Sequence, residues 1–210
     1  MRVSLYEIAT TLRKASIGSG LPVGLADDIG EAAKWLAVRE CDCVDPVLTA
    51  IVAGMSTVEM HVSDEGTLVF PDARIAVCGP SVIDLLVGEA RYNEAYLINA
   101  DSALLMIGIA GVVAEHHGME FQFCFSNGAK AQVTADELVT QGEMPSSNCD
   151  IALTCRKTDV TQSKPSIPIQ GVKVAIEAWR QAENLAAKTY VPESKKSRTG
   201  GAGAGLTDND

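Results

Sequence analysis

Met119-Glu120-Phe121-Gln122-Phe123-Cys124-Phe125 alternates without a break, Ser126-Asn127-Gly128 interrupts it, and Ala129-Lys130-Ala131-Gln132-Val133 alternates again. Successive side chains of a strand point to opposite faces. Met119, Phe121, Phe123 and Phe125 therefore make one apolar row, and Glu120, Gln122, Cys124 and Ser126 a polar one. Two such runs around a Gly-containing turn read as an antiparallel hairpin with one buried face. A two-residue Asn127-Gly128 loop would set Phe125 against Lys130 and Phe123 against Gln132, mixing the faces. A three-residue loop, with Gly128 in the left-handed conformation, instead brings Ala129, Ala131 and Val133 onto the Phe face. That is the expected register.

A sheet with one apolar face needs a layer to cover it. Just before the hairpin, residues 103–114 form the strongest apolar run, opened by Ser102 and stopped by Gly118. The run is too short to cross a bilayer, which takes about 20 residues, and apolar on every side, so it reads as a central buried helix. A strand over residues 95–99 leads into it. Upstream, β-type runs at residues 58–62, 67–70 and 75–78 are separated by Asp64-Glu65-Gly66 and Pro71-Asp72 and read as a meander. Gly79-Pro80-Ser81 then caps a helix that carries Asp84 in its first turn and ends at Gly88. Residues 41–46 form a loop, and the apolar segment 48–55 fits either helix or strand.

The chain opens with Ser4-Leu5-Tyr6-Glu7, the spacing of a capping box, and Val3 and Ile8 stand where a hydrophobic staple would sit. Ile8, Leu12 and Ala15 keep helical spacing until Gly18 and Gly20 break it. A second helix over residues 23–39 has Leu25, Ile29, Ala32 and Leu36 on one stripe with Trp35 beside it. Residues 151–155 make the last strand and residues 161–168 a Ser- and Pro-containing loop. A final helix over residues 171–190 offers Val172, Ile176, Trp179 and Leu185 to the core before Pro192 ends it. The expected fold is α/β-type (α+β), one globular domain over residues 1–192. A largely antiparallel or mixed sheet would be covered by helices from both termini, followed by a Gly/Ala-rich tail over residues 193–210.

Of the 210 residues 47% are hydrophobic and only 5% aromatic, so the core must be built mostly from Ala, Val, Ile and Leu. The net charge of −10 opposes nucleic acid and anionic lipid, and Lys195, Lys196 and Arg198 read as a solvated basic run. Residues 1–8 lack the regions of a signal peptide, so a cytoplasmic protein is expected, and its six cysteines should be free thiols. Cys41-Asp42-Cys43 is the single close pair, short of the two pairs, or pair plus His pair, of a zinc site, so no metal is assigned. Cys78 and Cys124 read as small hydrophobes in strands.

Other clusters have simple structural uses. Adjacent residues on a helix point about 100° apart, so His116 and His117 after Glu115 suit the negative helix end better than one metal ion. Gly18-Ser19-Gly20 through Gly24 lacks the Lys of a phosphate loop and reads as a helix-to-helix turn. Asp27 and Asp28 fall in a first helical turn, where the dipole favours acids.

The tail is the unusual segment. Closely spaced glycines let backbone amides approach an anion, Arg198 carries a planar donor fork, and Asp208, Asn209 and Asp210 carry hard oxygen ligands. The opening, Arg2-Val3-Ser4-Leu5-Tyr6-Glu7-Ile8 with Arg13-Lys14-Ala15 and Gly20-Leu21-Pro22-Val23-Gly24-Leu25-Ala26-Asp27-Asp28, resembles a family of uncharacterised bacterial proteins catalogued as a domain of unknown function. The ending carries the same resemblance, in Tyr190-Val191-Pro192-Glu193-Ser194, Ser197-Arg198 and Gly201-Ala202-Gly203-Ala204-Gly205-Leu206-Thr207-Asp208-Asn209-Asp210. The resemblance implies that the ending belongs to the family pattern and brings no reaction or cofactor with it. Ser197, Arg198, Thr207, Asp208 and Asp210 are accordingly the candidate ligand-binding residues. The leading expectation is a small-molecule enzyme or ligand-binding subunit whose site the tail completes, from its own chain or a neighbouring copy in a homo-oligomer. The rival is an accessory protein whose tail engages a partner. No nucleophile with its base stands in recognisable spacing, so catalytic residues are left unassigned.

Thiol titration of the denatured protein without reductant should find all six cysteines reactive. A deficit traced by mass to disulfide pairing would overturn the reduced, cytoplasmic expectation.

Overall fold

A computed structural model describes residues 1–56, 58–89, 91–158 and 171–190. The elements run β1 (Arg2–Val3), α1 (Leu5–Gly18), α2 (Val23–Val38), α3 (Asp45–Val52), β2 (His61–Val62), β3 (Leu68–Phe70), α4 (Ile75–Gly88), β4 (Glu94–Ala100), α5 (Ala103–His117), β5 (Met119–Phe125), β6 (Lys130–Val133), β7 (Leu138–Gln141), β8 (Cys149–Lys157), β9 (Val172–Lys173) and α6 (Ile176–Ala187). Seven strands form one mixed sheet in the order β2-β3-β4-β8-β5-β6-β7, and β1 pairs with β9 in a separate ribbon. Every neighbouring pair in the large sheet is antiparallel except β3 with β4, which α4 connects.

The hairpin takes the three-residue loop. Phe121 faces Val133 and Phe123 faces Ala131, the Phe125 N–H donates to the Ala129 carbonyl at 3.0 Å, and Gly128 has φ 86°. Phe121, Phe123, Phe125, Ala131 and Val133 are buried, while Gln122, Cys124, Lys130 and Gln132 are exposed on the other side. Glu120 departs from this pattern: it shares the polar face yet is only 6% exposed. Its Oε1 accepts from Gln122 at 2.9 Å, Gln132 at 3.0 Å and Arg156 at 2.7 Å. Burial opposes its ionisation, but these donors outweigh it and hold the carboxyl below the usual Glu value.

Ser4 and Glu7 form the expected capping box, and Val3 and Ile8 are both buried. Helices cover the sheet as expected, in successive layers: α4 and α5 pack against it, α2 covers α5, α1 packs on α2, and α6 packs on α1. A helix apolar on all sides can satisfy itself only between two apolar partners, so α5 takes the position next to the sheet. At Gly111 the approach of α2 is closest: an added Cβ would lie 2.2 Å from the Trp35 ring.

Three readings are corrected. Residues 75–78 are the start of α4 rather than a strand, because the Ile75 N–H donates to Asp101 Oδ1 at 2.9 Å, a cap supplied from 26 residues away. Pro80 lies inside that helix, where its ring removes one backbone donor. Val172 belongs to β9 rather than to a helix, α6 begins at Ile176, and Ile176 is itself exposed. β7 carried no apolar alternation to announce it, and the ambiguous apolar segment folds as α3. The expected 161–168 loop lies outside the described residues.

Gly128 has open space around its missing Cβ, so Gly128→Ala should cost only the left-handed backbone term, about 1 kcal/mol. Gly111→Ala must push Trp35 aside and should cost more, about 2–3 kcal/mol. Equal denaturant midpoints for the two variants would contradict this ordering.

Candidate functional site

α2 ends at Val38 and the chain turns at Glu40, which has φ 56°. The turn is anchored on both sides. The Cys41 N–H returns to the Leu36 carbonyl at 3.1 Å, and Asp42 Oδ1 accepts from the Val44 N–H at 3.1 Å just before Asp45-Pro46 opens α3. Arg39 holds the start of the turn: its guanidinium lies 3.6 Å from the centre of the Trp35 ring and donates to the Ala135 carbonyl at 3.3 Å.

The ribbon stands opposite this loop. Arg2 pairs with Lys173 and Val3 with Val172, Arg2 NH1 donates to the Gly171 carbonyl at 2.8 Å, and the Met1 ammonium donates to the Val174 carbonyl at 2.9 Å. Between ribbon and loop lies a cleft of about 460 Å³. One wall carries Glu40, Cys41, Asp42, Cys43 and Asp45; the other carries Arg2, Lys173 and the chain from Gly171 to Ala175.

Burial and then the neighbouring Asp42 raise the Asp45 carboxyl above the usual Asp value. Burial, with Asp42 beside it, pushes the Cys43 thiol up to about 12. Burial also raises Cys41, against the opposing pull of Arg39. Both thiols therefore stay protonated near neutrality and are weak nucleophiles and weak metal ligands as they stand. Among the described residues no group of three His, Cys, Asp or Glu side chains is arranged to hold a metal ion. The cleft is lined by charged and hydrogen-bonding groups.

The tail candidates Ser197, Arg198, Thr207, Asp208 and Asp210 lie outside the described residues. Gly18 to Gly24 form the expected turn between α1 and α2. His116 and His117 close the last turn of α5, both exposed. A second, smaller groove of about 280 Å³ brings His116 together with Asp27, Asp28 and Asp84 over Ile83 and Ile109. Asp27 already pairs with Arg13, and Asp28 is raised by burial and by the neighbouring Asp84 and Asp27.

Sequence spacing could not reveal Arg2, Lys173 and Asp45 as one site, because a long-range strand pair assembles it. Cys41-Asp42-Cys43 is the one local signal there, and as a close cysteine pair short of a metal site it says nothing of a cleft wall. Cys78 lies in α4 rather than in a strand but is buried, whereas Cys124 is exposed on the outer face of β5.

A family model described as a protein of unknown function (DUF3726) matches residues 3–50, which includes the acidic wall of the cleft. No curated protein matches the chain. Among solved structures, the chain is similar to a dehydrogenase from Sinorhizobium meliloti at 9% identity and a TM-score of 0.52, covering 93% of this chain and 96% of that one. It is also similar to malate dehydrogenase from Entamoeba histolytica, at 12% identity and a TM-score of 0.49, over 68% of this chain and 49% of that one. Malate dehydrogenase from Pyrococcus horikoshii OT3 matches at 11% identity and a TM-score of 0.49, over 67% and 49%. The chain thus spans about half the length of the malate dehydrogenases. At these identities the likeness concerns the fold alone. Among the described residues no helix is long and apolar enough to cross a membrane.

Alkylation of the native protein near pH 8 should modify Cys124 first and Cys41 slowly, with Cys43 and Cys78, each pushed up to about 12, protected until the protein unfolds. Peptide mass mapping would read the order, and early labelling of Cys43 would contradict the geometry of the acidic wall.

Proposed function

We propose that the protein binds a small polar metabolite in the cleft between the 40–45 loop and the β1–β9 ribbon, as an enzyme or as the ligand-binding subunit of one, and that residues 193–210 complete the site. The cleft itself carries the reading. Its volume of about 460 Å³ falls within the range of small-molecule sites, and charged side chains from distant parts of the chain converge on it. The dehydrogenase from Sinorhizobium meliloti shares the fold over nearly the whole chain, which supports a small-molecule scaffold by analogy alone. The acidic net charge favours such a ligand over nucleic acid or an anionic membrane surface.

The tail carries chemistry suited to closing a polar site: Arg198 offers a planar fork, Ser197 and Thr207 hydroxyls that donate and accept, and Asp208 and Asp210 carboxylates. Residue 190, the last described, sits with its hydroxyl 3.1 Å from the Lys14 ammonium on α1. A chain covers up to about 3.3 Å per residue, and the reading has the residues after 190 close either their own cleft or that of a second copy in a homo-oligomer. The reading places the protein in a bacterial cytoplasm, where its thiols remain reduced.

Deleting residues 199–210 should lower the thermal midpoint, shift the amide resonances of residues 41–45 and 171–175, and change any response of the midpoint to magnesium or calcium. A truncated protein that matches the full chain in all three respects would remove the tail from the site.

A further inference from the structure

We propose that the ligand of this cleft is a small zwitterion of the amino-acid kind, its carboxylate held by Arg2 and Lys173 and its ammonium by Asp42 and Asp45; the proposal rests on the reading of the cleft as the ligand site. Arg2 and Lys173 are direct partners across the antiparallel ribbon, so their side chains emerge on the same face as close neighbours. Like charges placed directly opposite one another destabilise a strand pair. Among the described residues neither meets a carboxylate: Arg2 gives one donor to the Gly171 carbonyl, and Lys173 makes no hydrogen bond or ion pair.

The facing wall has the mirror-image arrangement. Asp42 and Asp45 line the same wall, with Asp42 near enough to raise the Asp45 carboxyl, Glu40 lies on the same loop, and among the described residues no cation pairs with any of the three. The cleft therefore holds two cations side by side on one wall and a group of carboxylates on the other, each wall under its own repulsion.

A ligand with one charge cannot relieve both walls. An anion drawn to Arg2 and Lys173 also faces the carboxylates, and an ammonium drawn to Asp42 and Asp45 also faces the two cations. A molecule carrying both charges relieves both walls in a single orientation, and the reverse orientation sets like against like. The charge pattern thus selects the class of ligand and the direction in which it lies. A volume of about 460 Å³ keeps that ligand to metabolite size.

The test uses the full chain, with three ω-amino acids of increasing length, glycine, 4-aminobutyrate and 6-aminohexanoate, each beside the carboxylate and the alkylammonium of the same carbon skeleton. Amide shifts of residues 41–45 and 171–175 are the readout. At least one zwitterion should move both walls at concentrations where its two singly charged counterparts do not, and Lys173→Met and Asp45→Asn should each weaken that binding about tenfold. Both side chains are exposed and each substitution removes a like-charge repulsion, so the variants should melt no lower than the parent, and Lys173→Arg should retain binding. Binding of a carboxylate or an alkylammonium as strong as that of its zwitterion would overturn the proposed class while leaving the cleft a ligand site. No response to any zwitterion, or unchanged binding in both charge variants, would also overturn it. The truncation described above reads the cleft without a ligand, so a tail-dependent cleft that ignores zwitterions would sink this proposal alone.

Discussion

The contact of Trp35 with Gly111 sets how closely α2 lies on α5, and the elements outside α5 take their places from it. α5 is apolar around its whole circumference, so the sheet can cover only part of it and a second helix must cover the rest. Gly108 meets α2 in the same way, with Leu36 and the Ala32 carbonyl where its Cβ would stand. Small residues at these two points let two backbones approach closely enough to exclude water with few aromatics. The Trp35 ring that α5 receives also carries the Arg39 guanidinium, which reaches the Ala135 carbonyl between β6 and β7. The packing that buries α5 thereby fixes where α2 ends and where the acidic loop begins.

The other end of that loop is fixed by capping. Asp101 and Ser102 are adjacent, and each caps a different helix: Asp101 accepts from the first N–H of α4, and Ser102 accepts from the Leu105 N–H in α5. The Ser102 hydroxyl also donates to the Pro46 carbonyl at 3.0 Å, beside Asp45. Burial, only partly offset by the Ile75 N–H and Arg74, raises the Asp101 carboxyl above the usual Asp value. The basic wall has an independent support, since β1 runs directly into the capped α1 and β9 into α6, and these two helices pack together. Loop and ribbon are each held from outside the cleft, so among the described residues their charges need no ion pair across it to stay in place.

What could be read from the residues followed from how local each signal was. The capping box at Ser4 and Glu7, the stop of α5 at Gly118 and the register of residues 119–133 depend on groups a few positions apart, and all three appear as read. Residues 75–78 read as a strand because the cap of α4 is Asp101, and an apolar stretch whose cap lies far along the chain looks like a buried strand. Val172 reads as helical because its strand partner, Val3, lies near the opposite end of the sequence. The cleft shares this difficulty. Its charges belong to residues 2, 40–45 and 173, and no spacing rule connects them. Residues 193–210 drew attention by composition, which carries no information about the surface they meet.

The position of β8 has a consequence for how the chain is made. It lies between β4 and β5, with Ala152 opposite both Tyr96 and Cys124, and it is the strand that joins the two halves of the sheet. The β2-β3-β4 half and the β5-β6-β7 half are each complete in sequence before residue 149 is synthesised. At roughly 5–20 residues per second, the ribosome leaves β4 and β5 with open, hydrogen-bond-hungry edges for some seconds after each has emerged. During that interval a second nascent chain could fill the gap as well as the chain's own β8. Slowing translation before residue 149 would lengthen the exposure, and a chaperone that shields strand edges would act on this protein at that moment.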